Sequence, residues 1–265
     1  MAGPIAVVVR GACGRVGREV VAAVARQADM RVAGAIDAAA PGSSLSLPSG
    51  ATVPLGKETA PILDQVHPQV LVDFTAPGVV LEGVRAAVAR GVHLVIGTTG
   101  LSSADLEEIA RLSKGAGVGA MVAPNFALGA VVMMHLAQIA AKYFDYAEII
   151  ELHHEQKLDA PSGTAKATAE LMAKARGKPF LRTVPEKETV RGARDAAVDG
   201  VTLHSVRLPG LVAHQEVLLG TLGQTLTIRH DTTSREAFMP GVLLAIRQVP
   251  TMRGLVVGLD RLLGL

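Results

Sequence analysis

IAVVVRGACGRVGREVVAAVARQ, Ile5 to Gln27, opens on a β-branched run, breaks at Gly11 and resumes with Val16, Val20, Val21 and Val24 at helical spacing. The order is strand, glycine turn, then a helix over Arg15 to Gln27. Gly11, Gly14 and Gly17 fall in that turn, where backbone N–H groups at a helix N-terminus can meet a dinucleotide pyrophosphate. The spacing is Gly-x-x-Gly-x-x-Gly because Ala12 and Cys13 fill the first interval, and a tight turn with close helix packing reads the same way on its own.

The segment after the helix favours the dinucleotide. Arg31 to Ile36 reads as a second strand that ends at Asp37, 20 residues after Gly17, where a carboxylate can accept hydrogen bonds from the adenosine ribose hydroxyls. A loop cap is the plainer role for the same residue. A 2′-phosphate would be repelled by Asp37 and would find no cation in Ala38, Ala39 or Ala40, so NADH is expected over NADPH, with Arg15 the nearest residue to soften the difference. Cys13 stands at a helix N-terminus, which lowers a thiol pKa, but inside a pyrophosphate turn it reads as a small packed side chain and not a nucleophile.

Working outward, Asp37 to Gly50 reads as a polar loop, Val70 to Phe74, His93 to Ile96 and Val118 to Val122 as strands, and Gly78 to Arg90 and Ser103 to Lys114 as helices. Strands separated by helices of that length mean right-handed crossovers and a parallel sheet, so residues 1–126 read as a Rossmann-like dinucleotide-binding domain. After Asn125 a long apolar helix, Leu128 to Lys142, leads to Ala147 to Leu152 and later to strands near Val201 to Val206, Val212 to Leu219 and Thr225 to Arg229. No helix separates those last three, which predicts a second α+β domain with a mixed or antiparallel sheet over 127–233. Lys178 to Gly200 is polar and aperiodic and is expected to be a mobile surface excursion. The helical segment Ser234 to Gln248 opens a C-terminal stretch, 234–265, expected to pack back on the first domain.

Composition narrows the partners. With 265 residues, 49% apolar and 19% charged, the chain can bury a substantial core and is not disordered. A net charge of +2 with scattered basic residues, no Trp, 2 Tyr and 5 Phe offers neither a track for a phosphate backbone nor stacking platforms, so no nucleic-acid partner is expected. The single cysteine cannot close an internal disulfide, which suits a reducing, cytoplasmic setting. MAGPIAVVVRG lacks the parts of a signal peptide, and Pro124, Asn125, Gly129 and His135 interrupt the longest uncharged stretch, so no membrane span is expected.

The densest polar chemistry is ELHHEQKLDAPSGTA, Glu151 to Ala165. His153 and His154 point to opposite sides at a strand end, and neither a His-Glu-x-x-His pattern nor a cysteine set is present, so no metal is expected. Asp159-Ala160-Pro161-Ser162 has the grammar of a helix start, and Gly163 and Thr164 behind it could bind a substrate carboxylate at the positive end of the helix. An ordinary capped helix would look the same. Lys157, close in sequence to His153, adds a cation that could hold an anion and deliver a proton.

Taken together, GACGRVG (Gly11 to Gly17), VDFTAP (Val72 to Pro77), GTTGLS (Gly97 to Ser102), APNFALG (Ala123 to Gly129) and HHEQKLDAPSGTA (His153 to Ala165) resemble, in order, the 4-hydroxy-tetrahydrodipicolinate reductase (dihydrodipicolinate reductase) family. The resemblance implies reduction of a cyclic dicarboxylate by NADH or NADPH in bacterial diaminopimelate and lysine biosynthesis, and a homotetramer built through the second domain. It implies His153 as proton donor or acceptor, Lys157 as proton donor, His154 as a substrate contact, and Gly163 and Thr164 as the carboxylate clamp. For the cofactor it implies Gly11, Ala12, Cys13, Gly14, Arg15, Val16, Asp37, Gly97, Thr98, Thr99, Ala123, Pro124, Asn125 and Phe126. Ala38 stands where some members carry a basic residue, which counts against dual cofactor use. The competing readings are an aspartate or homoserine dehydrogenase-like enzyme and a non-catalytic dinucleotide sensor; the set His153, Lys157, Gly163 and Thr164 fits a ring dicarboxylate better than an open amino acid.

Overall fold

Consecutive β-branched residues suit a strand covered on both faces, and Val7, Val8 and Val9 of β1 (Ile5–Arg10) are fully buried. The computed structural model describes residues 3–182, 187–190, 192 and 196–265. After β1 come α1 (Arg15–Ala25), β2 (Met30–Ile36), β3 (Ser44–Ser46), β4 (Thr52–Gly56), α2 (Thr59–Val66), β5 (Val70–Asp73), α3 (Pro77–Val88), β6 (His93–Ile96), α4 (Ser103–Ala116) and β7 (Gly119–Val122). Then follow α5 (Leu128–Ala140), β8 (Tyr146–His153), α6 (Gly163–Arg176), β9 (Ala196–Val198), β10 (Val201–Arg207), β11 (Ala213–Thr221) and β12 (Gln224–Thr232). The chain ends with α7 (Met239–Gln248), β13 (Gly254–Val257) and α8 (Asp260–Leu263).

Two units result, Met1–Phe126 with Phe238–Leu265, and Ala127–Ala237. The first holds a sheet of order β13-β7-β6-β5-β1-β2-β4-β3, parallel except where β3 runs against β4. Val8, Leu71, Leu94 and Ile96 from its strands join Leu63, Val84 and Ile109 from its helices in one core. Local chemistry sets the ends of α4: Ser102 and Asp105 form a reciprocal capping box, and Gly117 closes the helix at φ 67°. Arg247 of α7 is tied to Asp29 at 2.7 Å, and β13 extends the sheet beside β7.

The second unit holds a sheet of order β12-β11-β8-β10-β9, in which β8 and β10 are parallel and the other pairs antiparallel. Along β8 the alternation is plain: Ala147, Ile149 and Glu151 are buried, whereas Tyr146 and Glu148 are exposed. Ala165, Ala169 and Met172 of α6 and Ala137 of α5 pack on the buried row. A Rossmann-like parallel sheet and a second, mixed sheet are the classes read from the sequence.

That reading does not include β4, α2 or β13, and three further details differ from it. Ser44–Ser46 inside the expected polar loop pairs with Thr52–Pro54, although a single Leu between two serines gives almost no alternation. Val118 stands just before β7, which starts at Gly119. The stretch Lys178 to Gly200 is tied down at both ends: Phe180 is buried, its N–H donates to Asp199 O at 3.1 Å, and β9 pairs with β10. The expected mobility of residues 183–186, 191 and 193–195 lies outside the described residues.

Candidate active site

The turn after β1 shows why glycine is required there. Gly11 has φ +81°, and a Cβ at Gly17 would collide with the carbonyl oxygen of Gly11, so both positions need bare backbone. Helix α1 has Gly14 at its N-cap, with no side-chain cap and no acid in its first turn, which leaves its N–H donors and positive dipole end for an anion. Asp37, at the end of β2, accepts from Cys13 N at 2.8 Å and from Ala39 N at 2.9 Å, leaving further lone pairs on both oxygens. Burial, then the Asp37 charge, pushes the Cys13 thiol up despite Arg18, so this cysteine is not an activated nucleophile.

Beside this turn lies a cleft of about 370 Å³. Of the residues singled out by sequence, Gly14, Arg15 and Val16 line it from the first turn, Gly97, Thr98 and Thr99 from the turn after β6, and Pro124, Asn125 and Phe126 from the turn after β7. All lie at carboxyl ends of parallel strands, where open α/β sheets bind ligands. Gly11, Ala12, Cys13, Asp37 and Ala123 are not on its wall; Ala12 and Ala123 are fully buried behind it. Phe74, Thr75 and Phe238 line it as well and were not singled out, although Phe74 and Thr75 sit in the quoted VDFTAP motif. Beneath them, buried Asp73 accepts from Thr98 Oγ1 at 3.0 Å, from Thr75 Oγ1 at 2.6 Å and from Arg10 at 2.7 Å.

The second set of residues lies in the other unit, around a carboxylate. Glu151 has a fully buried side chain and faces His153, two positions on along β8, at 2.5 Å from Nδ1. Arg207, the last residue of β10, grips both Glu151 oxygens at 2.8 and 2.9 Å. The backbone N–H of Ser162 donates to the same carboxylate at 3.1 Å, and the Ser162 hydroxyl caps α6 by accepting from Ala165 N at 3.2 Å. Gly163 is exposed, with nothing near where a Cβ would stand, and Thr164 follows it at the open helix end. Lys157 donates to both oxygens of Asp159 at 2.7 and 2.9 Å, and its N–H closes a turn on His154 O.

Electrostatics follow from this packing. Burial alone would raise the Glu151 pKa, but hydrogen bonds from His153, Arg207 and Ser205 outweigh it and hold the carboxyl at about 2. The Lys157 ammonium holds Asp159 below the usual carboxylate range. The structure thus gathers His153, Ser162 and Glu151 directly and adds Arg207, which sequence reasoning missed. The spacing Glu151-x-His153 on a strand was a usable signal, because i and i+2 share a face; Arg207, 56 residues away, gave none. Among the described residues no cluster of His, Cys, Asp and Glu could hold a metal ion, and no helix is long and apolar enough to cross a membrane.

A Rossmann-like unit with a glycine turn and an uncapped helix end, joined in one chain to a unit carrying an imidazole, an ammonium and a helix N-terminus, is an arrangement that fits a nicotinamide-dependent oxidoreductase. Residues 5–126 match the family model described as dihydrodipicolinate reductase, N-terminus, and residues 129–263 the one described as its C-terminus. The chain is 52% identical over 266 residues to the 4-hydroxy-tetrahydrodipicolinate reductase of Moorella thermoacetica, with 99% of each chain covered. It is 49% identical over 263 residues to that of Dehalococcoides mccartyi, with the same coverage. The dipicolinate-bound dihydrodipicolinate reductase from Paenisporosarcina sp. TG-14 is a structural match with TM-score 0.87 and 42% identity, covering 97% of this chain and 99% of that one. The chain belongs to the dihydrodipicolinate reductase family.

Proposed function

We propose that this chain reduces 4-hydroxy-tetrahydrodipicolinate to tetrahydrodipicolinate in bacterial diaminopimelate and lysine biosynthesis, with NADH preferred over NADPH. The observation that carries the reading is one patch of the second unit in which Glu151 joins His153 to the start of α6, whose N-terminus is open beside Gly163. When bound, the nicotinamide would supply the hydride for reduction of the unsaturated imine left by loss of water from the ring. The residues proposed to hold it are those of the glycine turn, Gly11 to Val16, together with Asp37, Gly97 to Thr99 and Ala123 to Phe126.

The protein's part is to bind the ring and supply a proton. Gly163 and Thr164 offer N–H and hydroxyl donors to a ring carboxylate at the positive end of α6. His154 makes a second substrate contact. Lys157 has three N–H donors, two of them engaged by Asp159, and the remaining one serves the enamine that accepts a proton. His153 is the proton donor or acceptor on the β8 side of the patch.

Loss of reduced-nicotinamide absorbance with freshly prepared ring substrate tests the reading. Lys157→Ala and His153→Ala are expected to lower kcat by roughly 100-fold or more while KM for the cofactor stays put. Turnover within a few-fold of wild type in both variants would remove them from the chemistry. The single Cys13 with its raised thiol pKa suits a reducing cytoplasm. For assembly, exposed Leu136, Ile139 and Tyr143 with Leu226 of β12 border an apolar groove of about 560 Å³ in the second unit, a face suited to a second copy in a homotetramer. Light scattering should give the mass of four chains of 27.4 kDa, and Leu136→Glu should lower it; a wild-type mass of one chain overturns the assembly.

A further inference from the structure

We infer that Glu151 and Arg207 are positioning residues that fix the ring of His153 with Nδ1 as donor, so that Nε2 is the atom presented for proton transfer, and that lock the start of α6 in register with it. The inference rests on the role proposed for His153.

The carboxylate has no contact with solvent, and every bond it makes ties down a different part of the patch. Its Oε2 lies 2.5 Å from His153 Nδ1, and because a carboxylate ionised with a pKa near 2 can only accept, Nδ1 must carry the proton. Its Oε1 takes the backbone N–H of Ser162, the residue that caps the helix bearing Gly163 and Thr164. Arg207 neutralises Glu151 with a bidentate grip and reaches on to the backbone oxygen of Asp159 at 2.6 Å, the residue that holds Lys157. One ion pair therefore sets the orientation of the proposed acid, the anion cradle and the lysine partner.

The charged groups beside His153 are Glu151 on its own strand and Arg207, its register partner on β10. β11 places Ala213 opposite His153 and Gln215 opposite Glu151, and α6 meets Gln215 through Thr168; none of these is charged. Removing the Glu151 charge leaves Arg207 as an unbalanced cation beside the imidazole and takes the ionised acceptor away from Nδ1.

The direct test is the wild-type enzyme itself. ¹⁵N imidazole spectra, with His153 assigned by its loss in His153→Asn, should show protonated Nδ1 and, above the titration of the ring, unprotonated Nε2. A neutral ring protonated at Nε2 overturns the inference whatever the variants do. In Glu151→Gln, kcat should fall by roughly 10- to 100-fold with KM for the reduced nicotinamide unchanged. Arg207→Lys keeps the charge and should retain most of kcat. An unchanged kcat in a folded Glu151→Gln enzyme also counts against it. Should His153→Asn itself turn over normally, the proposed acid is wrong, an outcome separate from the tautomer that the spectra report.

Discussion

Asp37 meets two demands with one carboxylate. Its oxygens hold the N–H groups of Cys13 and Ala39, so it braces the glycine turn from the end of β2, and each oxygen keeps a lone pair for a ribose hydroxyl. The residue after it, Ala38, supplies no positive charge, nor do Ala39 and Ala40. A 2′-phosphate placed there meets Asp37 with no partner, which is the reason for expecting NADH to be preferred. Ala38→Arg supplies a guanidinium that can grip the phosphate, and a charge-assisted hydrogen bond of about 1.5 kcal/mol corresponds to roughly a tenfold drop in KM for NADPH. KM for NADH should change far less, because the Asp37 bonds to the turn are untouched. Steady-state kinetics with both cofactors check this; a wild-type preference for NADPH, or no change in the ratio on Ala38→Arg, goes against the role given to Asp37.

At the level of elements, the cleft floor is a knot tied by four segments. Arg10 ends β1, Asp73 ends β5, Thr59 opens α2 and Glu82 lies on α3, and Arg10 bonds to all three of the others. Asp73 then reaches Thr75 and Thr98, which line the cleft. Asp73→Ala leaves Arg10, only 7% exposed, with the half-exposed Glu82 as its remaining anion, and losing the charge-assisted bond to the buried carboxylate costs about 3 kcal/mol. Thermal unfolding should show Tm lower by roughly 6 to 12 °C, and reduced-nicotinamide binding should weaken because Thr75 and Thr98 lose their anchor. An unchanged Tm would mean that the knot is not structural. Such knots explain what the sequence could and could not tell. Hydrophobic periodicity is local, so β1, β2, the glycine turn and the helices α1, α3 and α4 were legible from Ile5 onward, whereas the eight-residue α2 was not. Arg10 and Asp73, 63 residues apart, or Glu151 and Arg207, 56 apart, become partners only once parallel strands end side by side. Short edge strands such as β3, with one apolar residue, and β13, far from the strands it extends, carry too little pattern to stand out. In the site, the His153 to Thr164 motif was readable because chemistry and helix start share one segment; the carboxylate that organises them was read only as one acid among several.

Across the whole molecule, stability should fall in two stages as pH falls, because two half-buried imidazoles and a buried carboxylate are all held deprotonated in the fold, with pKa values below their ordinary ones. His93 in the first unit accepts from Gly119 N through Nδ1, and burial, then Arg253, pushes its pKa below 6.5. His230 in the second unit is also pushed down, first by burial, with Asp231 opposing and His214 assisting. Both rings stay neutral in the fold while the unfolded chain takes up protons as pH falls through 6.5, so this stability is fully present above 6.5 and declines below it, down to the folded values. Glu151 acts lower. Its folded pKa of about 2 lies beneath the ordinary 4.5, so its contribution is complete above 4.5 and is lost as pH falls from there through about 2. Net charge, +2 at neutral pH, grows more positive over the same range and adds self-repulsion. Thermal unfolding followed from pH 8 to 3 should show a level region above 6.5, a first decline below it and a steeper one below 4.5. His93→Gln, which keeps an acceptor for Gly119 without a titrating ring, should shrink the first decline. Glu151→Gln should be less stable at pH 7 and should shrink the second, because the variant has no carboxylate at that position to protonate. A wild-type Tm that rises between pH 6.5 and 4.5, or variants whose curves parallel wild type throughout, would mean that these buried groups do not govern the acid response.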